Sequence, residues 1–219
     1  MGCADPGDPR CVRADGHGQR PGQAYAGIAF RQAPRDRRRA DLHRARRRSR
    51  HWGLLAIWDS ENAAAAFEHS GTVRGWGRLA TDRLRLTLRP LTSRGTWAGQ
   101  QPFGDPTPQR HDGPVAAITR ARIRTAKALT FWRSVPPVSA DLHRSPGLRL
   151  AVGIGEAPIG LQGTFSLWDS AAALTKFAHR RTPHVEAVRR TAEVGWYTEE
   201  LFARFAVLDV EGTLAGRAP

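Results

Sequence analysis

Residues 57–69 read IWDSENAAAAFEH and residues 167–179 read LWDSAAALTKFAH. Trp58 matches Trp168, Asp59 matches Asp169, Ser60 matches Ser170, Phe67 matches Phe177 and His69 matches His179, all at an offset of 110 (168 − 58). A constant offset over this many positions marks a duplicated unit. In each copy an apolar run ends at Trp, then Asp and Ser supply N-cap chemistry, and an alanine-rich stretch follows. The pattern predicts strand, cap and helix, twice.

Outward from the second copy, PVAAITRARI (114–123) reads as a strand and TAKALTFWRSVPPVSADLHRS (125–145) as a helix interrupted by Pro136 and Pro137. LRLAVGIGEAP (148–158) and GLQGTFSLW (160–168) are two further strands, SAAALTKFAHRRTPHVEAVRRT (170–191) is a broken helix, and ELFARFAVLDVEG (200–212) is a last strand. This βαββαβ order is the ferredoxin-like split arrangement. Its sheet has helices on one face only, and two such units can close their open faces over a cavity. Around the first copy, HWGLLAIW (51–58) is a strand, ENAAAAFEHSGTVRGWGRLA (61–80) a helix with a break at Gly71, and RLRLTLRPL (83–91) a strand with one wet face. The expected fold is α+β, with tandem ferredoxin-like repeats of which the first is incomplete. Residues 51–98 form the partial first repeat, 99–113 a linker, and 114–214 the complete second repeat.

The 219 residues with 40% hydrophobic content suffice for a core, and no run of about 18 apolar residues is present. The start MGCADPGDPR lacks the basic-then-apolar order of a signal peptide, so a cytoplasmic protein is expected. Cys3 and Cys11 give neither a zinc site nor a disulfide framework. The net charge is +14, but residues 1–50 hold 13 Arg against 5 Asp, which leaves +6 for the rest. RQAPRDRRRADLHRARRRSR (31–50) could act as an arginine-rich arm for nucleic acid. A solvated or unfolded basic stretch is preferred, because no stacking platform or recognition helix accompanies it.

Residues 1–50 stand where the missing front of the first repeat belongs, and are expected to be disordered or read in a shifted frame. With chosen codons, Ala24 to Arg50 read one base later spell TPGSRFAKLLGTGAGRTFTVRDADP, the pattern of SPGLRLAVGIGEAPIGLQGTFSLWD in the second repeat. An insertion or deletion near the codons for Arg50 and His51 would account for it.

SPGLRLAVGIGEAPIGLQGTFSLWDSAAALTKFAHRRTPHVEAVRRT, continued by GWYTEELFARFAVLDVEGT, resembles the spheroidene monooxygenase family of acyclic carotenoid ketolases. The resemblance covers residues 51 to 214, is most specific at WYTEELFARF, and leaves the first 50 residues unmatched. It implies a tandem fold of the dimeric α/β-barrel type, haem iron as cofactor, molecular oxygen as co-substrate and electrons from a ferredoxin-type donor. It further implies oxygenation of an unactivated carbon near the end of a long polyene, to a hydroxyl and then a ketone. A carotenoid-like hydrophobic substrate is implied, peripheral membrane contact is a further expectation beside the cytoplasmic one, and the basic surface suits an acidic donor. A non-catalytic barrel that binds a hydrophobic ligand is the alternative.

An axial ligand to haem iron needs a firm element and a held second ring nitrogen. Pro183 is placed to start a helical turn, so His184 opens HVEAVRR and shares a face with Val188. The resemblance matches the family motif at His184, which makes it the metal-ligand candidate. His179, whose counterpart is His69, is a second cofactor-binding candidate, although a duplicated His more often reflects ancestry and packing beside Phe67 and Phe177. His143 reads as a C-terminal helix residue favourable to the dipole. Trp196 and Tyr197 follow Gly195 at a helix-to-strand turn. Tyr197 could donate a hydrogen bond to iron-bound oxygen or anchor the turn. Arg204 could pair with a haem propionate or with Glu199 or Glu200. Whether Leu201, Ala203 and Phe205 or Phe202 and Arg204 face inward is not decided by alternation. GIGEAPIG lies between strands, so it does not read as a phosphate loop. No Ser/His/Asp order, paired carboxylates or HExxH motif is convincing.

Overall fold

The computed structural model describes residues 25–32, 51–155, 160–180 and 182–219. Cys3, Cys11, most of the arginine-rich stretch, residues 33–50 of the segment assigned to a shifted frame and residues 156–159 of the GIGEAPIG run lie outside the described residues. The chain divides into two compact units, Met1–Thr87 with Leu208–Ala218, and Leu88–Val207 with Pro219.

The second unit contains β4 (Val115–Ile123), α3 (Ala128–His143), β5 (Leu148–Gly155), β6 (Leu161–Trp168), α4 (Ala171–Arg180) and α5 (Thr182–Val194). The start of β7 (Tyr197–Gly212) completes it. β4 pairs antiparallel with both β6 and β7, and β5 with β6, giving the order β7-β4-β6-β5. In terms of the unit's own strands this is 4-1-3-2, the ferredoxin-like topology. The fold is α+β with ferredoxin-like repeats, as the duplicated motif predicts.

Register decides which side chains face the helices. Val115 lies opposite both Trp168 and Ala206, and Ala117 opposite Ser166 and Arg204. Leu91, Val115, Ala117, Trp168, Leu174, Phe177 and Ala206 form a buried cluster, with Val138 and Leu142 of α3 packed on it. The opposite face carries Ile118, Phe165, Leu167, Leu201, Ala203 and Phe205, all buried. Leu201, Ala203 and Phe205 therefore face away from the helices, and Phe202 and Arg204 face them. Phe103, from the predicted linker, meets Phe205 edge-on with ring centroids 4.9 Å apart.

α3 continues through Pro136 and Pro137 instead of being interrupted by them. Each proline removes one backbone donor, and the apolar inner face holds the helix together around the loss. The second helical stretch breaks as expected between α4 and α5, with Pro183 in the first turn of α5.

The first unit contains β1 (Tyr25–Gln32), β2 (His51–Trp58), α1 (Glu61–Phe67), α2 (Gly71–Leu79), the start of β3 (Asp82–Gly95) and the end of β7. α1 and α2 are separated at Gly71, with Ser70 capping α2. Along β3, Leu84, Leu86 and Leu88 are fully buried while the intervening residues are half-buried, which is the predicted period of two. The strand at Tyr25–Gln32 was not expected; it pairs antiparallel with β2 over its whole length. It sits between β2 and β3, whereas in the second unit the matching strand β5 is at the edge and β4 fills the inner place. Among the described residues the first unit has no strand equivalent to β4.

Candidate functional site

His184 lies in the first turn of α5, and its ring packs on Phe177 of α4 at a tilt of 55° with centroids 4.8 Å apart. Phe177 in turn packs on Trp168 at 5.4 Å, linking the imidazole to the sheet through two aromatic rings. Nδ1 of His184 is 3.0 Å from the carbonyl oxygen of Ala178. A carbonyl accepts only, so Nδ1 carries the proton and Nε2 keeps its lone pair. Burial lowers the His184 pKa, the Ala178 carbonyl opposes this, His179 lowers it further and Asp141 raises it; the net shift is downward. The ring is neutral at neutral pH, as a metal ligand must be. Asp141 is a buried carboxylate near the C-terminus of α3, and the sequence reading had passed over it.

His179 is exposed on α4, and its counterpart His69 is exposed just beyond α1. His143 is the exposed last residue of α3, in keeping with the dipole reading. Among the described residues no group of three or more His, Cys, Asp or Glu is arranged to hold a metal. A cofactor metal that needs a single protein ligand would find in His184 a neutral imidazole with its second nitrogen held.

Tyr197 stands at the other end of α5, a helix of 13 residues and so roughly 20 Å long. Gly195, at φ +64°, ends the helix, and Trp196 donates from Nε1 to Thr130 Oγ1 at 3.0 Å. The Tyr197 ring meets Phe131 at 5.9 Å. Burial raises the Tyr197 pKa, opposed by a hydrogen bond with Thr191 and reinforced by Glu200. The geometry is that of a turn anchor, and it does not bring Tyr197 to His184. Arg204 faces the helices beside Ala117 and Ser166, the same sheet face that bears Trp168. The carboxylates weighed as its partners are engaged elsewhere: Glu200 lies 3.8 Å from Arg94, and Glu199 belongs to a buried group on the opposite face.

In that group the Glu199 carboxylate accepts from Arg120 Nη1 at 2.9 Å, Gly99 N at 2.7 Å and Thr96 Oγ1 at 3.1 Å. Arg120 is 2% exposed, and its guanidinium lies over Trp97, 4.7 Å from the ring centroid. Burial pushes the Glu199 pKa up, but donors from Gly99, Arg120, Thr96 and Ala98 outweigh it and bring it down to about 2.

The first unit repeats this clamp. Asp82 accepts from Gly216 N at 2.8 Å and from the Thr213 hydroxyl, and its pKa is lowered by these bonds despite burial. Gly95-Thr96-Trp97-Ala98-Gly99 thus matches Gly212-Thr213-Leu214-Ala215-Gly216, and Glu199 matches Asp82, all at an offset of 117 (212 − 95). Ala98 and Ala215 share positive φ, 54° and 56°. A Cβ on Gly95 would lie 2.0 Å from the Glu200 carbonyl oxygen, and one on Gly212 2.1 Å from that of Arg83. Both glycines are required by close backbone approach as well as by conformation. The signal for this second duplication is GTWAG against GTLAG, which the sequence reading missed.

No family model matches the chain. Among curated proteins, the spheroidene monooxygenase of Rhodobacter capsulatus is 41% identical over 174 residues, 77% of this chain and 71% of that protein. That of Rubrivivax gelatinosus is 42% identical over 75% of this chain and 63% of its own length. That of Cereibacter sphaeroides is 34% identical over 77% of this chain and 52% of its own length. The chain therefore spans between about half and seven-tenths of the relatives it matches. Among solved structures, a candidate monooxygenase of Fusobacterium nucleatum aligns over 89% of this chain and 96% of its own, with 8% identity and a TM-score of 0.45. A variant of SnoaB, a cofactor-independent oxygenase from Streptomyces nogalater, aligns over 47% of this chain and 98% of its own, with 16% identity and a TM-score of 0.37. At 41% identity over most of both sequences, the chain belongs to the spheroidene monooxygenase family and is a monooxygenase.

Proposed function

We propose that the chain oxygenates a long apolar substrate of the acyclic carotenoid type, to a hydroxyl and then a ketone, with haem held by His184 of α5. The observation that carries the reading is the likeness to spheroidene monooxygenases at 41% identity, joined to a neutral imidazole whose Nδ1 is tied to Ala178. When bound, haem supplies oxygen activation, with electrons from a ferredoxin-type donor. The chain's own residues bind, orient and exclude water. Phe177 and Trp168 fix the plane of the His184 ring from the sheet side. The Ala178 carbonyl holds the proton on Nδ1, so Nε2 stays a base and a ligand atom. Arg204, on the helix-facing side of β7, is the cation that would meet a carboxylate of the cofactor, where its fork suits two oxygens. Tyr197 contributes by fixing the α5–β7 turn through Thr191 and Phe131. The basic balance of residues 51–219, +6, suits encounter with an acidic donor.

The test is turnover of an acyclic carotenoid with oxygen, haem and a reduced ferredoxin, followed by mass analysis. A gain of one oxygen atom, then loss of two hydrogens, is expected. An unchanged carotenoid under conditions that support a curated relative would refute the reading.

A further inference from the structure

A surface helix ordinarily turns its polar face to water. α3 buries one apolar face and exposes another. Leu129, Trp132, Pro136 and Ala140 follow the spacing i, i+3, i+7, i+11, and all are exposed, with Pro137 beside them. Leu129 is 64% and Trp132 44% exposed, while Val138 and Leu142 serve the inner face. The outer stripe runs about 16 Å at 1.5 Å per residue. On the adjoining helix α5, Val185 and Val188 are 43% and 56% exposed and extend the apolar area. Along α3 and its flanks the accessible charge has one sign, while on α5 the exposed Glu186, between Val185 and Val188, and Glu193 are both paired with Arg189. Residues 124–144 include Arg124, Lys127, Arg133 and Arg144 against a single acid, Asp141, which is buried.

We propose that this face of α3, extended by Val185 and Val188, docks the second unit on an anionic lipid surface. Tryptophan and leucine on one side of a helix, with arginine and lysine flanking them, is the composition that settles at the boundary between headgroups and acyl chains. Each cation near an anionic surface adds attraction, and the apolar stripe adds depth. None of the described helices is long and apolar enough to cross a membrane, so the contact runs along the surface. A second copy of the chain is disfavoured, because self-pairing would bring the same cations face to face. An acidic protein would satisfy the cations but would also need a groove shaped to one helix; lipid needs no such match. The face is defined by exposed side chains alone, so vesicle binding and turnover report independently, and either can fail without the other.

The experiment is flotation of the full chain with vesicles of phosphatidylcholine alone and of phosphatidylcholine mixed with phosphatidylglycerol. Residues 1–50 carry 13 Arg and attract anionic vesicles by themselves, so the deciding variants keep charge constant. Binding to the mixed vesicles that falls about tenfold in Leu129→Ser/Trp132→Ser, and also falls in Val185→Ser/Val188→Ser, with an unchanged melting curve, is expected. Binding equal to the unsubstituted chain in both pairs would overturn the proposal. So would a concentration-dependent dimer abolished by the same substitutions without vesicle binding, which would assign the face to a second copy. Loss of binding to an acidic ferredoxin, with vesicle binding intact, would assign it to a protein partner.

Discussion

The Trp-Asp-Ser motif has nearly the same internal geometry in both units and very different surroundings. Ser60 and Ser170 each accept from the backbone N–H three residues on, at 3.2 Å in both cases. The Trp and Phe rings lie 5.5 Å apart in the first unit and 5.4 Å in the second. Yet Trp168 is fully buried and Phe177 nearly so, while Trp58 and Phe67 are half-buried. The second copy is covered by His184 and by Val138 and Leu142; α2 carries no histidine. Local sequence thus sets the cap and the ring pair, and the elements packed over them set how much stabilisation the motif supplies. The clamps at Glu199 and Asp82 differ in the same way. The turn is common to both, but only Glu199 receives a buried arginine.

Substitution should separate the paired sites. Trp168→Ala is expected to cost roughly 3–5 kcal/mol in denaturant unfolding, through a cavity in a closed core, and Trp58→Ala roughly 1–2 kcal/mol. Equal losses would mean that burial is not what distinguishes the copies. Glu199→Gln should cost roughly 2–3 kcal/mol, because it leaves the Arg120 charge buried without its carboxylate, and Asp82→Asn roughly 1 kcal/mol. A double-mutant cycle with Arg120 would show coupling for Glu199 and none for Asp82.

Acid sharpens the same contrast. The folded pKa of Glu199 is about 2 against an ordinary 4.5, so its stabilisation is fully present above pH 4.5 and is lost as pH falls towards 2. Asp82 is also lowered, so acid weakens both clamps, and the Glu199→Gln variant should show a shallower loss of stability over this interval than the unsubstituted chain. Thermal melts at successive pH values would measure it. The smallest effect is at the caps: Ser60→Ala and Ser170→Ala should each cost about 1 kcal/mol, and equally, because the cap is the feature the two units share without alteration.

These pairs also show which features the sequence could disclose. The 110-residue offset was visible because five side chains of distinctive type recur in one short stretch, and it placed the third strand and second helix of each repeat. The 117-residue offset was hidden because the helical stretch between is seven residues longer in the second copy (117 − 110), and only small residues recur in the turn. Arg120 and Glu199 lie 79 residues apart and meet through the register of β4 on β7, which no local pattern reports. The orientation of Arg204 was likewise a matter of register. His184 could be singled out because Pro183 marks a helix start, but its neutral state depends on the Ala178 carbonyl and on burial against Phe177. α3 was misread because two prolines ordinarily end a helix, and its packed inner face prevails over that tendency.

His184, the proposed cofactor ligand, has no counterpart in the first unit. Haem titration of the purified chain, followed by visible absorption, tests that role most directly. One haem per chain with a ligand-shifted band, abolished in His184→Ala and retained in His179→Ala, is the predicted result. The same spectrum and stoichiometry in His184→Ala would contradict it.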